Sequence, residues 1–171
     1  MMRTSGAAAA VMATVGLTAS LVTSSSALAS DGDWGLNGTY VATSLGDWAK
    51  TGERYQDEAT VRSTWTITTT CTSSIECTGT VTSDHGWSTP IKTTTGLWYA
   101  KRTIANWEPC PDGTAADAVQ LFRFYSVDAN GMTTPEGTTF AGEDITTGPS
   151  GACGRNKSLV IRMPFRMEKI A

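Results

Sequence analysis

From residue 38 onward apolar and polar side chains alternate, and no long run repeats at the 3.6-residue spacing of an amphipathic helix. The pattern predicts about eight strands: 38–44, 60–71, 77–84, 89–94, 96–107, 117–128, 138–144 and 158–170. Gly, Pro, Asn and Asp clusters separate them, and Asn130-Gly131 is a strong hairpin signal.

One pair of strands fixes its own register. If Cys71 sits opposite Cys77, Ile67 meets Val81 and Trp65 meets Ser83 on one face. On the other face Thr70, Thr68 and Thr66 meet Thr78, Thr80 and Thr82, a Thr–Thr ladder of favourable cross-strand pairs. A slip by one residue would turn both apolar sets toward water, so the register is specified.

Other segments are less regular. In 158–170, Leu159, Ile161, Met163, Phe165 and Met167 share one face, opposite Arg162, Arg166 and Glu168. Pro164 lacks a ladder donor, which predicts a bulge or an edge there. Strand 96–107 is apolar on both faces, with Trp98 and Ile104 on one and Leu97 and Tyr99 on the other. In 117–127, Val119, Leu121, Tyr125 and Val127 oppose Phe122 and Phe124. Strands apolar on both sides are expected beneath a second layer or a ligand. Arg102 and Arg123 fall on mainly apolar lines, which makes them candidates for a cation facing an anionic ligand group. Segment 45–59 is polar and reads as a loop or a short helix crossing a barrel mouth.

The first 29 residues belong to a different class. Arg3, an apolar run over 7–22 and the closing Ala27-Leu28-Ala29 read as a secretory signal peptide cleaved after Ala29. Thr14, Gly16, Thr18 and Ser20 interrupt the run, which falls short of a membrane span. Residues 30–171 are then a single secreted β domain with no transmembrane segment. Removing Arg3 moves the net charge of the 171-residue chain from −3 to −4. An acidic chain with 17% charged residues does not fit a basic nucleic-acid binder. Its 25 threonines after residue 30 favour strands and supply surface polarity without charge.

The four cysteines all lie in the exported part, which predicts disulfides. The hairpin register pairs Cys71 with Cys77 and leaves Cys110 for Cys153. No C-x-x-C pair occurs, so a zinc site is not expected.

Candidate chemistry is sparse. The only histidine, His85, would lie opposite Ser63, but neither Asp84 beside it nor any other residue completes a triad by sequence. The segment 148–156 has Ala152 where a nucleophile elbow needs glycine, and reads as a tight loop around Cys153. The acid pairs Asp57-Glu58 and Glu143-Asp144 read as solvated surface charge. Phosphate-cradling and dinucleotide fingerprints are missing, so no catalytic residue, metal or cofactor is expected. Six tryptophans remain. Trp65 belongs to the core face, whereas Trp34, Trp48, Trp87 and Trp107 lie in loop-like contexts and are candidates for an exposed aromatic patch.

Three segments carry a resemblance: WTITTTCTSSIECTGTVTSDHGW (65–87), GLWYAKRTIANWEPCPDG (96–113) and FAGEDITTGPSGACGRN (140–156). They resemble a family of small exported proteins of mycobacteria and related actinobacteria, an uncharacterised secreted protein family. The resemblance spans nearly all of residues 31–170. It implies an extracellular or cell-envelope location and a disulfide framework, without an activity.

The expected fold is all-β: an antiparallel up-and-down barrel, lipocalin-like, or a closed sandwich of about eight strands with two disulfides. Two functions are compatible with it. One is a non-catalytic module binding a lipid or other small apolar or amphipathic molecule inside the barrel, with Arg102, Arg123, Trp98 and Tyr125 as candidate ligand residues. The other is a module binding a cell-envelope protein or glycan through Trp34, Trp48, Trp87 and Trp107. A hydrolase built on His85 and Ser63 is a remote third.

Overall fold

The Thr-rich hairpin folds in the register its alternation demands. In the computed structural model, which describes residues 34–135 and 137–171, β4 (Val61–Ser73) pairs antiparallel with β5 (Glu76–Ser83). Cys71 faces Cys77, Ile67 faces Val81, Trp65 faces Ser83, and the threonines pair on the other side. The Cys71–Cys77 disulfide closes the hairpin. Trp65, Ile67 and Val81 are buried, because this face turns inward.

The remaining strands extend the same meander. They are β1 (Gly38–Ser44), β6 (Trp87–Thr94), β7 (Leu97–Pro109), β8 (Ala115–Val127), β9 (Thr139–Thr147) and β10 (Val160–Lys169). Each pairs with its neighbour in the order β1-β4-β5-β6-β7-β8-β9-β10, and β1 pairs back onto β10. The result is a closed, antiparallel, eight-stranded barrel. Every strand of the ring has a neighbour on both sides, although β6 and β7 pair only over Ile91–Thr94 and Leu97–Ala100. Two short strands, β2 (Lys50–Thr51) and β3 (Arg54–Tyr55), form a hairpin that adds to β10. A second disulfide, Cys110–Cys153, ties the β7–β8 turn to the loop between β9 and β10.

Pro164 is neither at an edge nor in a bulge. β10 runs unbroken against β9, with Pro164 opposite Glu143. On its other side the partner changes: β1 pairs with residues 165–169, and β2 with Ile161 and Arg162. The Pro164 carbonyl accepts from Leu45 N–H at 2.8 Å, just where the chain leaves β1. The absent donor therefore falls in the gap between two partner strands, where no acceptor is lost.

Segment 45–59 is not a helix over a mouth. It makes a short 3-10 turn (Gly46–Trp48) and then the β2–β3 hairpin, whose two-residue turn places Gly52 and Glu53 at positive φ. Both positions of such a turn need that conformation, which explains the glycine.

An eight-stranded barrel has an interior about wide enough for side chains to fill. Here aromatics fill it: Tyr40, Trp65, Phe122, Phe124, Phe140 and Phe165 pack with Ile67, Ile91, Val81 and Met167. Trp65 stands edge-on to Phe122 at 4.9 Å and tilted against Phe165 at 5.3 Å. On β8, Phe122 and Phe124 turn inward, while Val119 and Tyr125 are exposed, so the outer line of this strand lies against solvent rather than beneath a second layer. No helix among the described residues is long and apolar enough to cross a membrane.

Candidate functional site

The two ends of the barrel differ in chemistry because each strand's inward line ends on a different residue type. At one end the lines of β1, β8 and β9 run from aromatic or small residues to Ser44, Gln120 and Asp144, all buried. Ser44 Oγ donates to Asp144 Oδ2 at 2.7 Å, and Gln120 Nε2 donates to both carboxylate oxygens at 2.9 Å. Arg102 Nε donates to Gln120 Oε1 at 2.6 Å, and its guanidinium lies 4.6 Å over the Trp87 ring. Trp87 in turn stacks on Phe122 at 6.0 Å.

This chain of contacts spans the seam where β6 and β7 part, since their ladder covers only Ile91–Thr94 against Leu97–Ala100. It plugs the polar mouth, leaving a void of about 30 Å³ also bordered by Ser63 and His85. That is room for one small polar molecule such as water. Burial raises the Asp144 carboxyl above its ordinary value, against the hydrogen bonds from Ser44 and Gln120 and the charge of Arg102. Burial likewise lowers Arg102, opposed by the Asp144 charge.

At the opposite end the inward lines finish on rings, and the packing is open. Two clefts of about 360 and 440 Å³ share Trp34, Trp98, Ser126 and Pro135. Tyr40 and Phe140 line the first, together with Lys169. Ser126 Oγ is buried there without a hydrogen-bond partner. A third cleft, of about 420 Å³, lies away from both mouths, between the β2–β3 hairpin and the strands β9 and β10.

The sequence candidates distribute over these places. Arg102 and Trp98 turn inward, but toward opposite mouths. Arg123 and Tyr125 turn outward: Arg123 is ion-paired with Glu143, and Tyr125 is 41% exposed. Trp98 and Tyr125 meet at the cleft of about 440 Å³, while Arg102 lies at the opposite mouth and Arg123 on the outer wall, so the four do not share one pocket. Phe122 and Phe124, the wholly apolar rings of β8, take the interior, and the line of Arg123 and Tyr125 faces outward.

The four loop tryptophans are dispersed as well. Trp34 and Trp87 pack against the core at opposite mouths, and Trp107 is half-buried in the irregular stretch of β7 between Ile104 and Glu108. Trp48 is 62% exposed on the outer wall.

His85 and Ser63 border the same void, yet Ser63 Oγ accepts from Trp65 Nε1 at 2.9 Å and His85 Nε2 faces Asp84 at 3.9 Å. No Ser–His–acid hydrogen-bonded chain exists among the described residues, and no group of His, Cys, Asp and Glu there is arranged to hold a metal. Arg155, beside the 148–156 loop, pairs at 3.5 Å with Glu108, which is buried. Cys153 takes a positive φ in that loop, in a short 3-10 turn.

Sequence reasoning missed the polar plug. Asp144 was grouped with Glu143 as surface charge, but it is 4% exposed. The signal was present: Phe140, Gly142, Asp144 and Thr146 form one alternating line, and its aromatic member marks it as inward.

No family model matches this chain, and no curated protein matches it. Among solved structures it is similar to the monomer form of the M. tuberculosis PknI sensor domain, at 18% identity and a TM-score of 0.57. The likeness covers 80% of this chain and 88% of that one, and what it shows is a shared fold.

Proposed function

We propose that residues 30–171 form an extracytoplasmic, non-catalytic binding module that takes an amphipathic small molecule at its aromatic mouth. One observation carries this reading. The barrel interior is filled, while its open end holds two joined clefts of about 360 and 440 Å³ lined by Trp34, Tyr40, Trp98 and Phe140. Those volumes suit a small ligand. The unpartnered Ser126 hydroxyl and the Lys169 ammonium offer a polar end to such a molecule, and the rings offer an apolar bed. Two disulfides and no free cysteine among the described residues support an oxidising compartment. The fold shared with a domain described as a sensor domain supports a binding role.

The test is native mass spectrometry of the protein after titration with monomeric dodecylphosphocholine and with laurate. A one-to-one adduct with either, weakened in Trp34→Ala and Ser126→Val but unchanged in Trp48→Ala, is the expected result. No adduct with either probe, or an adduct indifferent to Trp34→Ala, overturns the reading.

A further inference from the structure

The outer wall carries a second feature that the aromatic mouth does not explain. Trp48 and Tyr55 are 62% and 69% exposed, and both belong to the short 46–55 stretch that hangs from β10. Threonines line the outer wall at β4 and β5, whereas two large exposed rings sit within eight residues of one another here, one in the 3-10 turn and one in the hairpin that follows it. Both rings line the cleft of about 420 Å³, whose floor is Met163 and Pro164.

The hairpin is fixed in place. Lys50 and Thr51 pair with Arg162 and Ile161, Glu53 faces Arg162 at 3.6 Å, and the Lys50 ammonium lies 4.8 Å from the Tyr55 ring. The charges around the cleft balance. Lys50 and Arg162 supply donors, and Glu53 and Glu143 supply acceptors. Arg162 Nε is buried and makes no hydrogen bond, since Glu53 Oε1 stands 3.6 Å from it, just beyond hydrogen-bond reach.

We infer that this cleft is a binding site for a neutral saccharide. A sugar ring has an apolar C–H face that packs on an aromatic ring, and an edge of hydroxyls that both donate and accept. Exposed rings beside a balanced set of charged donors and acceptors match both features at once. A strongly anionic or cationic ligand would meet like charges from Glu53 and Glu143 or from Lys50 and Arg162. A wholly apolar ligand would desolvate Lys50, Arg162, Glu53 and Glu143 and offer them no hydrogen bond in exchange for water. The site is separate from the aromatic mouth and stands independently of it.

The experiment is calorimetric titration of the folded protein with chitotetraose, cellotetraose and maltotetraose, with Trp fluorescence as a second readout. Saturable binding of at least one, with a Kd of about 1 mM or tighter, is expected. Trp48→Ala and Tyr55→Ala each weaken it by about tenfold or more, while Trp34→Ala leaves it unchanged. Both substitutions are at the surface, so their urea midpoints stay at the parent value and loss of binding is not loss of fold. Three outcomes overturn the proposal: no saturable binding of any of these sugars, binding insensitive to Trp48→Ala, or preferential capture of a proline-rich peptide at the same cleft.

Discussion

Replacing Trp65 with alanine tests whether the barrel interior is as full as the structure makes it. Trp65 is 1% exposed and packs edge-on to Trp87 and Phe122, at 5.4 and 4.9 Å, and tilted against Phe124 and Phe165, at 6.5 and 5.3 Å. Truncating a buried Trp to Ala costs about 3–5 kcal/mol. Each well-placed aromatic pair adds about 0.5–1.5 kcal/mol beyond area burial, which puts this site at the upper end, about 5 kcal/mol. With a urea m-value of about 2 kcal/mol/M for a domain of this size, the midpoint should fall by about 2.5 M. If that exhausts the stability of the domain, Trp65→Phe keeps one ring and should lose about 1–3 kcal/mol.

A second readout reports the space itself. Removing the indole leaves an apolar void, and such voids stay dry and take up small apolar molecules. Benzene at saturation should therefore raise the midpoint of Trp65→Ala by more than that of the parent, because only the variant has an enclosed void in its core. A midpoint shift under about 0.5 M, or equal stabilisation of the parent by benzene, would refute a filled interior and return the ligand site to the barrel lumen.

Three further outcomes follow from the same structure. The Cys110–Cys153 bridge spans 43 residues and Cys71–Cys77 spans 6, so replacing the first pair with serine should cost about 4 kcal/mol and the second about 2.4; urea unfolding that reverses this order would contradict the chain-entropy account. Asp144 has its carboxyl raised by burial, so the folded state keeps a proton that the unfolded chain loses first. Its contribution is fullest below the ordinary carboxylate range and is lost as pH rises through the raised value, so Asp144→Asn should gain on the parent as pH rises above the ordinary carboxylate range; a stability difference that stays constant through that rise would remove the burial argument. Arg102→Lys should destabilise by about 1–3 kcal/mol, because a lysine neither stacks on Trp87 as a plane nor presents the Nε that Gln120 Oε1 accepts from; thermal melts within error of the parent would show the plug to be dispensable.

Where the two faces of a strand differ in polarity, the sequence was readable almost residue by residue. The Thr–Thr ladder against Trp65, Ile67 and Val81 left a single register open, and the disulfide pairing followed from it. Where both faces are apolar, alternation says that a strand exists but not which side is inside. On β8 that choice fell to Phe122 and Phe124, whose rings fit a lumen already built around Trp65, and no local signal in 117–127 says so. Pro164 was misread for a related reason. Its tolerance depends on a partner strand ending at Ser44, a nonlocal fact. The polar plug was hidden because Ser44, Gln120 and Asp144 come from three strands far apart in sequence, and each alone resembles an ordinary surface residue.

The closed barrel also decides where function can reside. Closure leaves only the β6–β7 seam and the edge of the two-residue β3 as unpaired ladder, so recognition falls to the lumen, the mouths or the outer wall. Aromatic packing removes the lumen. The Ser44–Asp144–Gln120–Arg102 chain removes one mouth, leaving about 30 Å³ there against about 360 and 440 Å³ at the other. A buried carboxylate held by hydroxyl and amide donors is a costly way to close an end, because a pair of leucines would close it without desolvating charge. Its effect is to fix the ends of β1, β8 and β9 relative to one another by directional bonds. A rigid polar end permits the aromatic end to stay open without the barrel collapsing onto its own clefts. Under the function proposed above, loosening the plug through Arg102→Lys or Asp144→Asn should weaken the one-to-one adduct with laurate or dodecylphosphocholine at Trp34 and Trp98, the full length of the strands away; an adduct unchanged in both variants would show that the two mouths are independent.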